Sequence, residues 1–577
     1  MAPPLPSSPC AINAKTISTD ARRPRPPTTQ NAMTPSYQQQ TRDLIDGLKA
    51  ICAQNGLGND GNEYKIIVQT FLYKLLSDKF AYEMKRVEPK LASADDWIAA
   101  WQAMPAKERE MLELQLGADV PRLTVDQLIP SLFNRQSEPG FAKLFDDTLI
   151  AIAVANNDIF AVSTDDNEKV PLFDRLSDYV TGSTDKKDGF VRALFNKLVG
   201  VSFEHLFQQK YDFYATLFEY LIKDYNKDNG GKYAEYYTPH AVATIMADIL
   251  VPRAQRGKVK NVTCYDPASG SGTLLMALAH AIGEHHCSIF SQDISQKSSS
   301  LLRLNLVLNK LVHSIPHITQ GNTILNPVHK QDKALRQFDY IVSNPPFKMD
   351  FSDFRDDLDT DANASRFFAG IPKVPNKAKD KMAIYLLFIQ HIIASLKPGG
   401  KAAVVVPTGF ITAASGIELR IRQKLVDEKM IAGVVSMPSN IFATTGTNVS
   451  ILFLDTASRD GVVLIDASAL GEKVKEGKNQ KTLLSHAEEQ RIVETFNARE
   501  AVEDFSVVVD YDEIAAKNYS LSAGQYFEVR VDYVDLTPRE FAEQIDGYES
   551  RLSKMFAESN ALEKTIQRNI SRLALNV

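Results

Sequence analysis

The chain is poor in cysteine, and it lacks the features of a membrane or secreted protein. Four of its 577 residues are cysteine, at positions that match no metal-binding or disulfide motif, as is typical of a reducing cytoplasm. No apolar run is long enough to cross a membrane, and residues 1–32 have no signal-peptide core. We therefore expect a cytoplasmic protein with no membrane anchor and no bound metal.

An excess of positive charge is also missing. The 65 Lys and Arg residues are outnumbered by 71 Asp and Glu residues, which gives a net charge of -6. A protein that held DNA alone by neutralising phosphates would be expected to be basic. Any grip on nucleic acid is therefore expected from local basic patches or from a partner polypeptide.

The hydrophobic pattern divides the chain into four parts. Residues 1–39, rich in Pro, Ser and Thr, are predicted to be a disordered extension, and a start at Met33 would leave most of it untranslated. Residues 40–225 carry apolar stripes at helical spacing and predict a helical domain. Residues 226–530 alternate strands with helices and predict a doubly wound, Rossmann-like α/β catalytic domain, and residues 531–577 predict a C-terminal helix.

Six apolar runs are the predicted strands of that sheet. They cover residues 262–265, 288–292, 340–343, 402–406, 431–436 and 449–454. In a doubly wound sheet the ligand lies at the carboxyl ends of the strands. The residues that follow the first and third of these runs are therefore the first place to look for a site.

The first strand leads into a glycine turn, Asp266-Pro267-Ala268-Ser269-Gly270-Ser271-Gly272, and then into a helix. Glycines allow a ligand to approach the main chain, and amides at a helix start favour an anionic group. Leu275 stands where a dinucleotide fingerprint needs a third glycine, so the spacing fits S-adenosylmethionine better than NAD. Asp293, after the second strand, is placed either to meet ribose hydroxyls or to cap a helix.

The third strand ends in Asn344-Pro345-Pro346-Phe347. The side-chain carbonyl of Asn344 and the main-chain carbonyl of Pro345 can accept hydrogen bonds from one exocyclic amine, and Phe347 offers a flat face for a base taken out of a duplex. This pattern favours amine methylation. Taken alone, the tetrapeptide is equally compatible with a rigid turn that ends the strand.

Taken together, the motifs resemble the modification subunit of type I restriction-modification systems, an N6-adenine DNA methyltransferase family, over roughly residues 60 to 530. The matching segments, in the family's order, are Gly231-Lys232-Tyr233-Ala234-Glu235-Tyr236-Tyr237-Thr238-Pro239, the glycine turn, the Asn344 tetrapeptide, Ser365-Arg366-Phe367 with Gly370 and Pro372, residues 401–409, and Glu418 with Ile421-Arg422.

The resemblance implies a role for each matched position. The target adenine would be bound by Asn344, Pro345, Pro346 and Phe347. The cofactor S-adenosylmethionine would be bound by Glu235, Tyr237, Thr238, Pro239, Asp266, Pro267, Ser269, Gly270, Ser271, Gly272, Asp293 and Asn322.

Three positions depart from the family pattern. Ser269 replaces the usual cysteine, which we expect to be harmless, and Asp293 replaces a longer glutamate that would reach the ribose more directly. Asn322 replaces an aspartate that would contact the adenine ring of the cofactor. We expect this last change to weaken cofactor binding.

A long insertion separates Asn344 from the fourth strand. Its lysines Lys373, Lys377 and Lys379, together with Arg366, are candidate DNA contacts, and the alternative for the lysines is a solvated loop.

The C-terminal segment carries an apolar residue at alternating spacings of three and four from Phe541 to Leu573, with the polar residues Ser559 and Asn569 on the same seam. This heptad pattern predicts a helix that packs against a partner helix. The helix could fold back on its own chain, or residues 541–577 could bind a specificity subunit, as the resemblance implies.

The sequence therefore favours an adenine-specific DNA methyltransferase that acts on double-stranded DNA with a specificity subunit and, in a larger complex, a restriction nuclease subunit. Three alternatives remain at this point: an orphan DNA methyltransferase, a non-catalytic DNA-binding scaffold, and a methyltransferase for protein glutamine, which would usually carry Tyr at position 347.

Overall fold

The computed structural model describes residues 37–58, 61–117, 119–204, 207, 238–332, 334–442, 448–457, 461–476, 479–527 and 536–574. Most of the predicted extension, residues 1–36, lies outside this part of the chain, and so do the predicted cofactor contacts Glu235 and Tyr237. The chain divides into two compact units, Met1–Ala523 and Gly524–Val577.

The N-terminal region is helical, as predicted, in its described part; residues 205–206 and 208–225 of the predicted helical domain lie outside the described residues. Its helices are α1 Tyr37–Gln54, α2 Gly61–Val87, α3 Pro89–Ala92, α4 Trp97–Gln102, α5 Ala106–Gln115, α6 Ile129–Asn134, α7 Phe141–Phe160 and α8 Thr184–Leu198. In α7 the apolar stripe Phe141, Phe145, Leu149 and Ile152 is buried, which is the helical spacing that the sequence carries. Asp188 accepts hydrogen bonds from two amides at the start of α7 and so joins it to α8.

A two-residue strand ties this region to the central sheet. Strand β1, Ser163–Thr164, pairs in parallel with Thr319 and Gln320 of the sheet. Helical spacing in the sequence gave no sign of it, because two residues are too few to show a period of two.

The central sheet contains all six predicted strands, and the predicted doubly wound α/β fold is confirmed. Its strands are β1, β2 Val262–Asp266, β3 Cys287–Asp293, β4 Ile318–Gln320, β7 Phe338–Ser343, β8 Leu396–Pro407, β9 Ile431–Ser436, β10 Val449–Asp455, β11 Val462–Asp466 and β14 Ser506–Val509. Two hairpins lie outside it, β5 Lys330–Gln331 with β6 Ala334–Leu335, and β12 Glu472–Glu476 with β13 Asn479–Leu483.

Strand order places a crevice between β2 and β7. The order is β1-β4-β3-β2-β7-β8-β10-β9-β11-β14, so the chain moves to one side after β2 and to the other side after β7. β2 pairs in parallel with both β3 and β7, whereas β10 is antiparallel to β8 and β9. A reversal of this kind opens the crevice in which α/β folds bind ligands.

The described residues of the first unit contain nine further α-helices. They are α9 His240–Leu250, α10 Thr273–Ile282, α11 Gln296–Leu308, α12 Arg355–Leu358, α13 Tyr385–Ala394, α14 Thr408–Thr412, α15 Gly416–Asp427, α16 His486–Ala498 and α17 Tyr511–Ala516. Helix α10 follows β2 and helix α13 follows β7, the two strands of the crevice.

The second unit contains one long helix, α18, Pro538–Ala574. Its 37 residues correspond to about 55 Å of α-helix. The large apolar side chains of the predicted seam are exposed, including Phe541 (58 %), Met555 (65 %) and Leu562 (62 %). Phe556 and Ile570, each one residue past a seam position, are exposed as well.

None of the helices in the described part of the chain combines the length and the hydrophobicity that a membrane crossing requires.

The sheet is packed tightly at Gly433 of β9. A Cβ there would overlap the carbonyl oxygen of Val463 and lie 2.5 Å from Cε2 of Phe496. We expect Gly433→Ala to lower the free energy of unfolding by about 1–3 kcal/mol, the usual cost of overpacking a core. The measurement is chemical unfolding of the purified chain.

Gly189→Ala is the matched control, because Gly189 lies inside α8 with no heavy atom within 4 Å of the added Cβ. This change should stabilise the chain by about 0.5–1 kcal/mol. Equal stability of the Gly433→Ala variant and the wild type would show that β9 and α16 are packed less closely than described.

Candidate active site

The carboxyl ends of β2, β3 and β7 meet at a cleft that is partly open to solvent. It is lined by Thr238, Asp266, Pro267, Ala268, Ser269, Gly270, Leu274, Asp293, Ile294, Asn322, Thr323, Asn344, Pro346, Met349, Ile384 and Phe388. The structure thus brings the glycine turn and the Asn344 tetrapeptide to one place, although 77 residues separate Ser343 from Asp266.

The glycine turn brings the main chain close to helix α11. Gly272 has a φ of 86° and directly precedes α10. A Cβ at Gly272 would overlap Cδ1 of Leu302, so only glycine fits both the conformation and the space. Asn305 of α11 also donates a hydrogen bond to the carbonyl of Ser271 at 2.8 Å. The conformation of the glycine turn is therefore fixed by its contacts with Leu302 and Asn305 of α11.

Asp266 joins the glycine turn to the tetrapeptide strand. Its Oδ1 accepts hydrogen bonds from the Ala268 amide and from the Ser343 hydroxyl, both at 2.9 Å. Burial raises the pKa of Asp266 to about 7, although these two donors oppose the shift by favouring the charged form. Because Ser343 immediately precedes Asn344, the carboxyl group fixes the start of the tetrapeptide relative to the turn.

Asp293 holds two main-chain amides. Its Oδ2 accepts from Gly270 at 2.9 Å and its Oδ1 accepts from Ser295 at 2.8 Å. The alternative that Asp293 caps the following helix is wrong, since Ser295 is the N-cap of α11 and accepts from Ser298. Asp293 lines the cleft, where the predicted contact with ribose hydroxyls stays a prediction.

The Ser269 hydroxyl forms a hydrogen bond near the carboxyl end of β3. It accepts a hydrogen bond from the hydroxyl of Ser291, on β3, at 2.6 Å. The position that departs from the family's cysteine is thus occupied by a group that ties the glycine turn to β3.

Asn322 uses one end of its amide to close a turn. Its Oδ1 accepts from the amides of Ile324 and Leu325, both at 3.1 Å. Since main-chain amides can only donate, the atom facing them is the oxygen, and the Nδ2 of Asn322 is the end left for the cleft. A ligand edge at this point meets a donor, where an aspartate would present an acceptor.

Asn344 has its carboxamide oriented by Thr238. The Asn344 Nδ2 donates to the Thr238 Oγ1 at 3.2 Å, and both residues line the cleft. With the nitrogen engaged, the Oδ1 of Asn344 is the acceptor that remains for a ligand. The Thr238 motif, which the sequence assigned to the cofactor, therefore also sets the direction of the Asn344 side chain.

Phe347 lies beside the cleft in a file of aromatic rings. Its ring meets Tyr385 edge to face, with centroids 6.3 Å apart, and Tyr385 meets Phe410 in the same way at 6.2 Å. The Tyr385 hydroxyl donates to Glu418, a residue of the family match, at 3.5 Å. Phe347 is half-buried, so one part of its ring is packed and the rest remains accessible.

Several other predicted residues flank the cleft without lining it. Pro239 directly precedes α9, and the Ser271 hydroxyl pairs with that of Thr273 at 3.1 Å. Gly272 and the buried Pro345 are also absent from the residues that line the cleft.

Sequence reasoning missed the apolar side chains that line the cleft. Ile294, Met349, Ile384, Phe388 and Leu274 all line it, and Ile294 is 54 % exposed. An isoleucine directly after the acidic residue that ends a strand was the signal available in the sequence. A cleft lined by both polar groups and apolar side chains suits a nucleoside, whose edges are polar and whose faces are not.

The structure corrects one predicted DNA contact. Arg366 is 4 % exposed, and its guanidinium donates to the carbonyls of Thr323 and Ile324 and to His391. A side chain so placed does not reach a phosphate. Lys373, Lys377 and Lys379 are exposed, so their predicted contact with DNA remains a prediction.

The Asn322 geometry makes a testable prediction about cofactor affinity. In Asn322→Asp, one carboxylate oxygen can keep the turn closed while the other presents an acceptor to the cleft, which an adenine amino group can satisfy. We expect calorimetric titration with S-adenosylhomocysteine to give a several-fold lower Kd than for the wild type.

Asn322→Ala is the companion variant, which removes both ends of the amide and should raise the Kd. If Asn322→Asp instead binds more weakly than the wild type, the Nδ2 donor is itself a useful contact.

Known proteins similar to this chain agree with the geometry. The family model described as N-6 DNA Methylase matches residues 209–532, more than half of the chain. The "Type I restriction enzyme MjaIX methylase subunit" of Methanocaldococcus jannaschii is 24 % identical over 573 residues, covering 94 % of this chain and 92 % of the relative.

Two further similarities span different shares of the chain. The MpnII methylase subunit of Mycoplasma pneumoniae is 28 % identical over 382 residues, 64 % of this chain and 66 % of the relative. A type I methyltransferase subunit structure from Streptococcus thermophilus has a TM-score of 0.65 at 20 % identity and covers 85 % of this chain and 100 % of its own. On the family match, the chain belongs to the N-6 DNA methylase family, whose members are S-adenosylmethionine-dependent, adenine-specific DNA methyltransferases.

Proposed function

We propose that this chain is the modification subunit of a type I restriction-modification system and methylates N6 of an adenine flipped out of double-stranded DNA. The observation that carries the proposal is the orientation of Asn344, whose Nδ2 is held by Thr238 at 3.2 Å beside the glycine turn. Relatives described as type I methylase subunits support the assignment to that kind of complex.

The cleft offers S-adenosylmethionine a polar group for each of its polar parts. The amides at the start of α10 and Thr238 suit the methionine end, and Asp293 suits the ribose hydroxyls. Ile294 and Phe388 suit the faces of the adenine, and Asn322 suits its edge. When bound, the cofactor supplies an electrophilic methyl group.

The residues of the tetrapeptide act by position and by charge complementarity. The adenine amine is a weak nucleophile because its lone pair is delocalised into the ring. Hydrogen bonds to Asn344 Oδ1 and to the Pro345 carbonyl hold the amine in line and strengthen as the nitrogen gains positive charge, so they favour the transition state over the ground state. Phe347, braced by Tyr385, provides the stacking face for the flipped base.

DNA recognition is assigned to a partner. The net charge is -6, and the exposed lysines Lys373, Lys377 and Lys379 offer a local basic patch for phosphates. The partner is a specificity subunit bound by residues 541–577, and a nuclease subunit completes the larger complex. Exposure of Phe541, Leu552 and Leu562 on α18 supports this docking surface, since a bare apolar stripe favours burial against another helix.

The experiment that tests the proposal is methyl transfer from labelled S-adenosylmethionine to unmodified double-stranded DNA, with and without the specificity subunit. N6-methyladenine formed only with the partner agrees with the proposal. Label from the chain alone would favour an orphan enzyme. Cofactor binding and assembly without label would leave a scaffold, and label on protein glutamine instead of DNA would overturn the assignment of substrate.

Asn344→Ala should lower kcat by at least about 100-fold, because one of the two acceptors for the amine is lost. The Kd for S-adenosylhomocysteine should stay within a few-fold, since Asn344 contacts the amine and not the cofactor's recognition groups. Asn309→Ala, which removes only a hydrogen bond to a carbonyl within α11, is the control and should keep full activity. Unchanged methylation by Asn344→Ala would refute the proposed role of the tetrapeptide.

Deletion of residues 541–577 should leave cofactor affinity intact and abolish co-purification with the specificity subunit. A finer test substitutes the seam, Leu552→Glu with Leu562→Glu, and compares it with Lys554→Glu and Lys564→Glu on the opposite side of α18. Only the seam variant should lose the partner in a pull-down. If both variants assemble normally, the apolar heptad positions of α18 do not bind the specificity subunit.

A further inference from the structure

Arg366 is a buried cation held by carbonyl groups and not by a carboxylate. Its Nη1 donates to the Ile324 carbonyl at 2.7 Å and its Nη2 donates to the Thr323 carbonyl at 2.8 Å. Within the described residues it forms no ion pair, and burial lowers its pKa to about 10. Burying an unpaired guanidinium is costly, so the arrangement calls for a function beyond filling space.

The third bond of Arg366 fixes the tautomer of a buried histidine. The Arg366 Nε donates to the His391 Nδ1 at 3.1 Å, so Nδ1 accepts and the ring proton lies on Nε2. His391 Nε2 therefore donates to the Tyr265 hydroxyl oxygen, and the two atoms are 3.0 Å apart. Burial, with the charge of Arg366, holds the pKa of His391 well below its ordinary value, which keeps the ring neutral.

One end of this network lines the cofactor cleft, and the other end adjoins a cleft residue in the sequence. Tyr265 directly precedes Asp266, the first residue of the glycine turn. Thr323 lines the cleft, and its hydroxyl donates to the Pro267 carbonyl at 2.7 Å, which joins the turn that Asn322 closes to the glycine turn. Arg366 thus holds the Asn322 turn through its hydrogen bonds to the carbonyls of Thr323 and Ile324, and it does not itself line the cleft.

We propose that Arg366 is a positioning residue for cofactor binding, which acts through the carbonyls of Thr323 and Ile324 and through His391 to hold the two cofactor turns at a fixed separation. This inference rests on the proposed cofactor site and assigns a role to the Ser365-Arg366-Phe367 motif. Two adjacent carbonyls facing one way need two donors in a fixed fork, and guanidinium is the side chain that supplies them.

The test compares three full-length variants by titration with S-adenosylhomocysteine and by steady-state methylation in the complex with the specificity subunit. Arg366→Met should raise the Kd and the cofactor KM at least tenfold, with kcat at saturating cofactor within threefold of the wild type. Arg366→Lys, which keeps the charge but offers a point donor, should give an intermediate Kd.

Arg420→Met is the control, because the exposed Arg420 donates through its Nε to the carbonyl of Ala369, three residues after Arg366, at 2.8 Å, and not to the cofactor turns. Its Kd should stay within twofold of the wild type. If both variants only lower the melting temperature, their Kd values should be equal. A higher Kd for Arg366→Met alone therefore indicates the positioning role.

The outcomes separate this inference from the proposed function. If the wild type fails to bind S-adenosylhomocysteine, the cofactor site itself is refuted. If the wild type binds and Arg366→Met matches its Kd, or loses kcat with KM unchanged, the positioning role is overturned. Should Arg366→Met fail to fold, an Arg366→Lys Kd within twofold of the wild type overturns it equally.

Discussion

Parallel pairing of β2 with β7 is the constraint on which the site depends. The register places Cys264 beside Tyr340 and Tyr265 beside Ile341, so Asp266 and Ser343 leave the sheet at the same edge, about one strand spacing apart. The hydrogen bond from Ser343 to Asp266 then fixes the glycine turn against the tetrapeptide. A shift of one residue would turn the Ser343 side chain to the opposite face and separate the methyl donor from the acceptors for its target.

The sequence predicted the sheet well because its strands are long, apolar runs. All six predicted strands are present, and β9, Ile431–Ser436, has the predicted limits. Strands β1, β4, β11 and β14 were not predicted; β1 and β4 are two and three residues long, and a period of two cannot be recognised in so few. The antiparallel β10 could not be foreseen either, because strand direction is set by the connections between strands and not by the residues within one.

The residues of the site were predicted more completely than their partners. Motif spacing identified Asn344, Thr238 and Asp266, but no spacing rule shows that Thr238 orients Asn344 across 106 residues or that Arg366 lies behind the cleft. Arg366 was predicted to contact DNA, although its role is not readable from its chemistry alone. In this fold the insertion buries it beside a second apolar cluster that includes Phe351, Phe367 and Leu387. Tertiary contacts, which a single sequence does not display, decided its role.

Two buried acidic side chains line the cleft without a cationic partner in their hydrogen bonds, since Asp266 and Asp293 are held by amides and a hydroxyl. A sulfonium donor carries a positive charge that the thioether left after methyl transfer has lost. Burial raises the pKa of both carboxyl groups, that of Asp266 to about 7, so they favour the charged donor over the spent one only in the fraction of molecules in which they are ionised. In that ionised fraction, methyl transfer itself weakens the retention of the by-product, so renewal of the cofactor is linked to pH.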